Sequence, residues 1–351
     1  MRKLASIQTV GEILPIEGAD AIEKIRVLGW WVVTKKGEHK TGDKVVYCEI
    51  DSLLPERPEF EFLRKSCYRP AITAAGQTLL PAGFRIRTIK LRGQVSQGIC
   101  FPVSILPEGA PTDDGTDVTA ALDIVKFDPP LPASLAGRVK GTFPGFVPKT
   151  DETRVQVLEP VIARHRGKVF YMTEKLDGSS VTAYLHDGEY GLCSRNQRLD
   201  EDDLDNGMCR VAKDLSLREK LTEARARLGF DVAFQAEIIG PGIQKNKYAL
   251  KEARLYFFNV VNLSARCLLD HAEMLELLGS LSLLPVPQLG TITLDHSVDQ
   301  LIELSIGQST LNAQSPREGI VLRPLKDEDD PDMGRLSFKA INPKFLLKYD
   351  E

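Results

Sequence analysis

The segment Glu174-Lys175-Leu176-Asp177-Gly178-Ser179-Ser180 puts a lysine at the end of an apolar strand, directly ahead of an Asp-Gly turn. An amine is a nucleophile only when unprotonated, and an ordinary lysine, with a pKa of ~10.4, is almost wholly protonated at neutral pH. Taken alone, the string is standard turn chemistry. Its ordered company changes the reading. Ser194-Arg195-Asn196 follows, then Phe234-Gln235-Ala236-Glu237-Ile238-Ile239-Gly240-Pro241-Gly242-Ile243-Gln244, with Asn246 and Tyr248 just beyond. Next come Leu255-Tyr256-Phe257-Phe258-Asn259-Val260, Arg317-Glu318-Gly319-Ile320-Val321-Leu322-Arg323 and Ser337-Phe338-Lys339-Ala340-Ile341-Asn342-Pro343-Lys344-Phe345. Each singled-out residue also has a plain structural reading. Glu237 could close a strand in an ion pair, Glu318 could serve a turn, and Lys339 could snorkel to solvent. Phe257 and Phe258 alternate on a strand, so one of them must pack in a core.

These side chains need strands and turns to hold them. Residues 168–174 and 180–185 read as strands flanking the Lys175 turn, 232–239 and 254–261 as buried strands, and 214–228 and 268–278 as helices. The amino-terminal part is β-rich, with an aromatic and β-branched run at 25–34, a turn, a strand at 44–50, and a further pair at 85–91 and 97–102. Short strands at that spacing suggest a small oligonucleotide-binding-type barrel. Prolines and glycines between 107 and 148 mark a linker. The expected organisation is α+β, with a barrel domain over 1–128 and a catalytic domain over 129–351 whose first stretch, 129–150, is a linker-like entry.

Composition narrows the classes. The 351 residues are 42% hydrophobic, 27% charged and 7% aromatic, with no apolar run of the ~20 residues a membrane helix requires. No secretory signal is expected, and the reading is a non-secreted monomer of the cytoplasm, or of the nucleus in a eukaryote. Six scattered cysteines without a C-x-x-C pair argue against a zinc module or a disulfide scaffold. A net charge of −4 is unlike a simple nucleic-acid binder, so phosphate contacts must come from local clusters. Arg85, Arg87, Lys90 and Arg92 form one, on either a solvated or a phosphate-binding face; Arg154, Arg164, His165, Arg166 and Lys168 form another. Of Trp30 and Trp31, one should pack in the barrel. His165 itself and the acidic run 200–205 read as surface loop.

The ordered set from Lys175 to Phe345 resembles motifs I, Ia, III, IIIa, IV and V of the covalent nucleotidyltransferases, the superfamily of polynucleotide ligases and mRNA capping enzymes. The stretches 237–244 and 339–345 are closest to the T4 RNA ligase 2 branch. Leu14-Pro15-Ile16-Glu17-Gly18-Ala19-Asp20, Glu49-Ile50-Asp51-Ser52, Leu91-Arg92-Gly93-Gln94-Val95-Ser96-Gln97-Gly98 and the segment 143–152 resemble the Deinococcus-type RNA ligases. The resemblance implies an amino-terminal OB-like barrel before an adenylyltransferase domain of the ATP-grasp-like/ligase kind. It implies attack of Lys175 on ATP to give lysyl-AMP, transfer of AMP to a 5′-phosphate, and sealing by a 3′-hydroxyl, at nicks in an RNA-containing duplex. It assigns Asp177, Glu237 and Glu318 to a partly hydrated Mg²⁺ or Mn²⁺. Nucleotide contacts fall to Glu174, Arg195, Glu237, Lys339, Arg154, Lys149 and one of Phe257 and Phe258, with Phe258 favoured. The sequence departs from the family where motif V lacks its second lysine, a role for which Lys344 is one candidate. Two alternatives stay open, a GTP-dependent capping-type guanylyltransferase and a non-catalytic RNA-binding protein with a decayed ligase domain. The first, like an ordinary DNA ligase, would be expected to carry a barrel after motif V.

Overall fold

The computed structural model describes residues 2–74, 76–130, 135 and 137–349. The chain divides into two units: one runs to Pro130 and includes the segment from Pro343 onward, and the other runs from residue 131 to Asn342.

The first unit is built of small antiparallel sheets. Ala5–Thr9, Lys44–Cys48 and Ile99–Pro102 form one; Ile13–Pro15, Ile22–Val27 and Trp30–Lys35 form a second. The aromatic run at 25–34 is a hairpin that reverses at Leu28 and Gly29, with Leu28 in the left-handed region at φ 54°. Trp30 faces inward at 1% exposure. Trp31 lies on the other face, with Lys24 Nζ 4.6 Å and Arg26 Cζ 4.9 Å from its ring centre. The expected strand over 85–91 is two pieces, Gly83–Arg85 and Ile89–Leu91, belonging to different sheets. At the end of the first piece Arg85 pairs with Asp51 at 3.3 Å and lies over the Phe127 ring. Ile7, Val46, Phe60, Phe84, Phe101 and Leu122 fill the core.

The second unit carries two large sheets. Strand β1 (Val169–Lys175) lies in a five-stranded sheet beside Gln288–Thr293 and β5 (Gly319–Pro324). Next to β5 comes β6 (Phe338–Ile341), which pairs in parallel with Thr153–Arg154. Strand β2 (Ser179–His186) lies in a seven-stranded antiparallel sheet, against β3 (Val232–Ile239), which in turn pairs with β4 (Arg254–Asn262). Between β1 and β2 the chain passes from one sheet to the other in three residues, Leu176, Asp177 and Gly178. Helices α1 (Gly207–Asp214) and α2 (Leu217–Leu228) cover the larger sheet, sharing a core with Phe234, Phe257 and Val260.

Two expectations are corrected here. The helix read over 214–228 starts only at Leu217; Asp214 ends a separate helix, Gly207–Asp214, and Ser216 at φ 52° breaks the chain between them. The helix read over 268–278 runs His271–Ser280, started by Asp270, whose N–H donates to Glu273 at 3.2 Å. The proline-rich linker is not wholly irregular: Val139–Thr142 is an exposed edge strand against Gln197–Leu199, a place where few ladder bonds are required. Val147 packs beside Tyr184 and Val261. Residues 131–134 and 136 of that segment lie outside the described residues.

Candidate active site

Lys175 ends β1 and Ser179 begins β2, so the lysine stands where the two sheets part. Such a junction demands glycine: a Cβ on Gly178 would lie 2.3 Å from the Ile238 carbonyl oxygen and 2.9 Å from Glu237 Cγ. Gly319, next to Glu318, is equally confined, 2.3 Å from the Ala340 carbonyl oxygen. With no side chain there, β1, β5 and β6 approach closely enough to bring Lys175, Glu318 and Lys339 together.

Lys175 Nζ donates to both oxygens of Glu318, at 2.7 and 2.8 Å. Glu237 Oε1 accepts from the Gly178 N–H at 3.1 Å. Burial pulls the Lys175 amine toward its neutral form, but Glu318, Glu237 and Asp177 outweigh it and hold its pKa above the ordinary lysine value. Burial, reinforced by Glu318 and Asp177 against the pull of Lys175, pushes the Glu237 carboxyl up to about 8. The opposite happens at Lys339, where burial first, then Lys175 and Arg154, lowers the pKa to about 7. Arg154 sits level with Lys339 across the parallel strand pair.

The aromatic pair is resolved by a β-bulge. Between β3 and β4 the register slips so that Gln235 faces Asn259 and Ala236 faces Phe257, leaving Phe258 as the extra residue. Bulges re-aim side chains. Phe257 is buried against Phe234, with ring centres 6.0 Å apart. Phe258 instead packs with Leu176, Ile239 and Tyr248, the residues around the lysine turn.

Other expected residues lie further out. Arg195 pairs with Asp151 at 2.7 Å, and Lys149 Nζ donates to the Arg195 carbonyl at 3.0 Å. Glu174, pointing to the opposite side of β1 from Lys175, is buried and accepts from the Thr310 N–H at 2.8 Å. Lys344 is exposed on the helix Pro343–Tyr349, which groups with the first unit. Among the described residues, Asp177, Glu237 and Glu318 do not place three ligand atoms within 4.8 Å of one another, whereas His186, Asp187 and Asp231 do. Asp231 of that trio is already paired with Arg225 at 2.7 Å.

Two findings depart from the sequence reading. The basic cluster around residue 165 is largely neutralised: Arg164 pairs with Asp330 and Asp332, His165 with Asp330, Arg166 with Asp295 and Lys168 with Glu328. Only Arg154 of that group belongs to the lysine pocket. Conversely, Lys247 and Arg323 were assigned no role from the sequence. Lys247 is ion-paired with Asp177. Arg323 pairs with Glu152 at 2.7 Å and donates to the Phe258 carbonyl at 3.4 Å.

An OB-fold domain model matches residues 4–103, and an RNA ligase model matches residues 168–341. The barrel expected ahead of the nucleotidyltransferase domain is thus present as an OB-fold domain. No curated protein matches the chain significantly. Among solved structures, a ligand-free aspartate-to-alanine variant of Naegleria gruberi RNA ligase is similar at 39% identity and TM-score 0.88, over 99% of this chain and 98% of that one. A lysine-to-alanine variant of the same enzyme with ATP and Mn is similar at 39% identity and TM-score 0.87, over 98% of each chain. The form with PPi is similar at 40% identity and TM-score 0.87, over 100% of this chain and 99% of that one. A solved relative matched along nearly the whole of both chains, together with the two domain models in this order, shows that the chain belongs to the RNA ligase family.

Proposed function

We propose that this chain is an ATP-dependent RNA ligase of the Deinococcus type, within the T4 RNA ligase 2-like branch. It seals 3′-hydroxyl/5′-phosphate breaks, preferring nicks in RNA-containing duplexes. The observation that carries this reading is Lys175 Nζ held by both Glu318 oxygens, at 2.7 and 2.8 Å, beside a second lysine, Lys339, whose pKa is lowered to about 7.

In the first step the Lys175 amine attacks the α-phosphorus of ATP. A P–N bond forms as the bond to pyrophosphate breaks, and Glu318, already bonded to Nζ, is placed to take the proton. A 5′-phosphate oxygen then displaces the lysine, which recovers its amine. The 3′-hydroxyl finally attacks the activated phosphate, and AMP leaves. All three steps build charge on a phosphoryl group, so one set of cations serves them all. Lys339 and Arg154 provide that set, and Arg154 supplies the positive charge that the missing second motif V lysine would give. Phe258 stacks on adenine, Arg195 and Lys149 contact phosphate or ribose, and Glu174 shapes the nucleotide pocket through its hold on Thr310.

Asp177, Glu237 and Glu318 fit a hydrated Mg²⁺ or Mn²⁺. They offer oxygen donors only, and burial, with Glu318 and Asp177 nearby, pushes Glu237 to about 8, so an ion's positive charge would favour its carboxylate form. Their spread beyond 4.8 Å suits an ion that keeps part of its water shell. When bound, such an ion supplies positive charge beside the α-phosphate and to the carboxylates that hold the lysine protonated.

The test is sealing of singly nicked duplexes whose flanking strands are RNA or DNA, with ATP and Mn²⁺. Sealing is expected when the 3′-hydroxyl strand is RNA, and to fall at least tenfold when it is DNA. Equal sealing of an all-DNA nick would refute the strand preference.

A further inference from the structure

Two of the three carboxylates assigned to the cation each hold a lysine. Glu318 holds the nucleophile, whereas Asp177 holds Lys247. This second ion pair is sequestered: the Lys247 side chain is 3% exposed and that of Asp177 is 11%. Lys247 is fixed from a further side, since Asn312 Nδ2 donates to its carbonyl at 3.0 Å. The Asp177 N–H meanwhile donates to the hydroxyl of the next residue, Tyr248, at 2.6 Å.

The segment that carries Lys247 has a backbone few sequences tolerate. Gln244, Lys245, Asn246 and Ala249 all lie in the left-handed region, at φ 42°, 59°, 47° and 53°. Non-glycine residues persist there only where their surroundings enforce it. Asn246 is part of that enforcement, bonding Leu250 through both its amide groups at 2.9 and 3.1 Å. The strained turn sets a buried ammonium against the carboxylate that leads the Gly178 junction.

We propose that Lys247 is a positioning residue for the sealing reaction, a counter-ion that fixes the Asp177 carboxylate and sets how tightly the three carboxylates hold a divalent cation. This rests on the reading that Asp177, Glu237 and Glu318 bind that cation. A buried carboxylate without a partner is costly, and the Lys247 ammonium offsets that cost and fixes the orientation of Asp177. The same positive charge opposes a second cation arriving nearby. Removing it leaves the site one charge more negative, with a tighter hold on the metal and a less well-defined Asp177.

The experiment measures Mn²⁺ binding to the full chain from the electron paramagnetic resonance signal of free Mn²⁺, with the metal alone and with α,β-methylene-ATP. The wild type is compared with Lys247→Met, Lys247→Gln and Lys247→Arg, each checked for folding by circular dichroism. The neutral variants should bind Mn²⁺ at least about tenfold more tightly, since one unit charge a few ångströms away at protein dielectric is worth more than that factor. Their rate of lysyl-AMP formation should nevertheless fall, and Lys247→Arg should stay near the wild-type Kd. In an Asp177→Asn background, Lys247→Gln should shift the Kd less, since only the direct repulsion of the cation remains. A folded neutral variant with a wild-type Kd, or a shift of undiminished size without Asp177, overturns the inference while the cation reading stands. A wild type that binds no Mn²⁺ with or without the analogue overturns both.

Discussion

Burial lowers both Lys175 and Lys339, yet they end on opposite sides of the ordinary value, because three carboxylates around Lys175 outweigh burial whereas Lys175 and Arg154 add to it at Lys339. The Lys339 shift has a measurable consequence for stability. The unfolded chain binds a proton at this lysine up to the ordinary lysine value of 10.5, whereas the folded chain gives it up near 7. The resulting destabilisation is complete below about pH 7 and vanishes as pH rises through 10.5. Lys339→Met should therefore melt at a higher temperature than the wild type at pH 7, with the gap closing by pH 10; thermal denaturation at both values checks it. The same variant should lose most sealing activity. Legibility at this scale was uneven. The sequence reading named Lys175, Glu237, Glu318 and Lys339 from the motif order, and the fold brings them together. It missed Lys247, since a lysine in a loop has no local pattern and gains its meaning only from a carboxylate 70 positions away.

The elements that carry these residues depend on two local devices, a glycine junction and a bulge. Gly178→Ala would force a Cβ against the Ile238 carbonyl, costing about 1–3 kcal/mol by overpacking and displacing Glu237. Urea unfolding should record the loss, and lysyl-AMP formation should fall with it. The bulge separates the two phenylalanines. Phe257→Ala should destabilise the protein by about 3–5 kcal/mol, as expected for a truncated core aromatic, with little change in KM for ATP. Phe258→Ala should raise that KM several-fold with a smaller stability cost. Strict alternation could say only that one ring packs inward; the slipped register that points Phe258 at Leu176 and Tyr248 is a tertiary feature. The break at Ser216 was invisible for a similar reason, because charged residues on both sides keep helical periodicity through it.

Across the whole chain, a net charge of −4 leaves little general attraction for nucleic acid, and ion pairing removes most of one basic cluster that might have supplied it. Sequence shows the cations, but their partners at 295 and 328–332 come from distant elements, so only the fold reveals the neutralisation. Arg166, in an exposed pair with Asp295 at 3.1 Å, is not a phosphate contact on this account. Arg166→Ala should change RNA affinity less than about twofold, whereas Arg154→Ala should cripple adenylylation; filter binding and AMP labelling distinguish them. Domain order, by contrast, was legible throughout, from short β-rich segments ahead of the Lys175 motifs. The central claim is covalent chemistry at Lys175. It is tested most directly by incubating the protein with α-³²P-ATP and Mn²⁺, followed by a denaturing gel, with Lys175→Ala and an EDTA-treated sample alongside. One labelled band from ATP is expected in the wild type, lost in the variant and in EDTA. A band that persists in Lys175→Ala, or label taken from GTP instead, would contradict it.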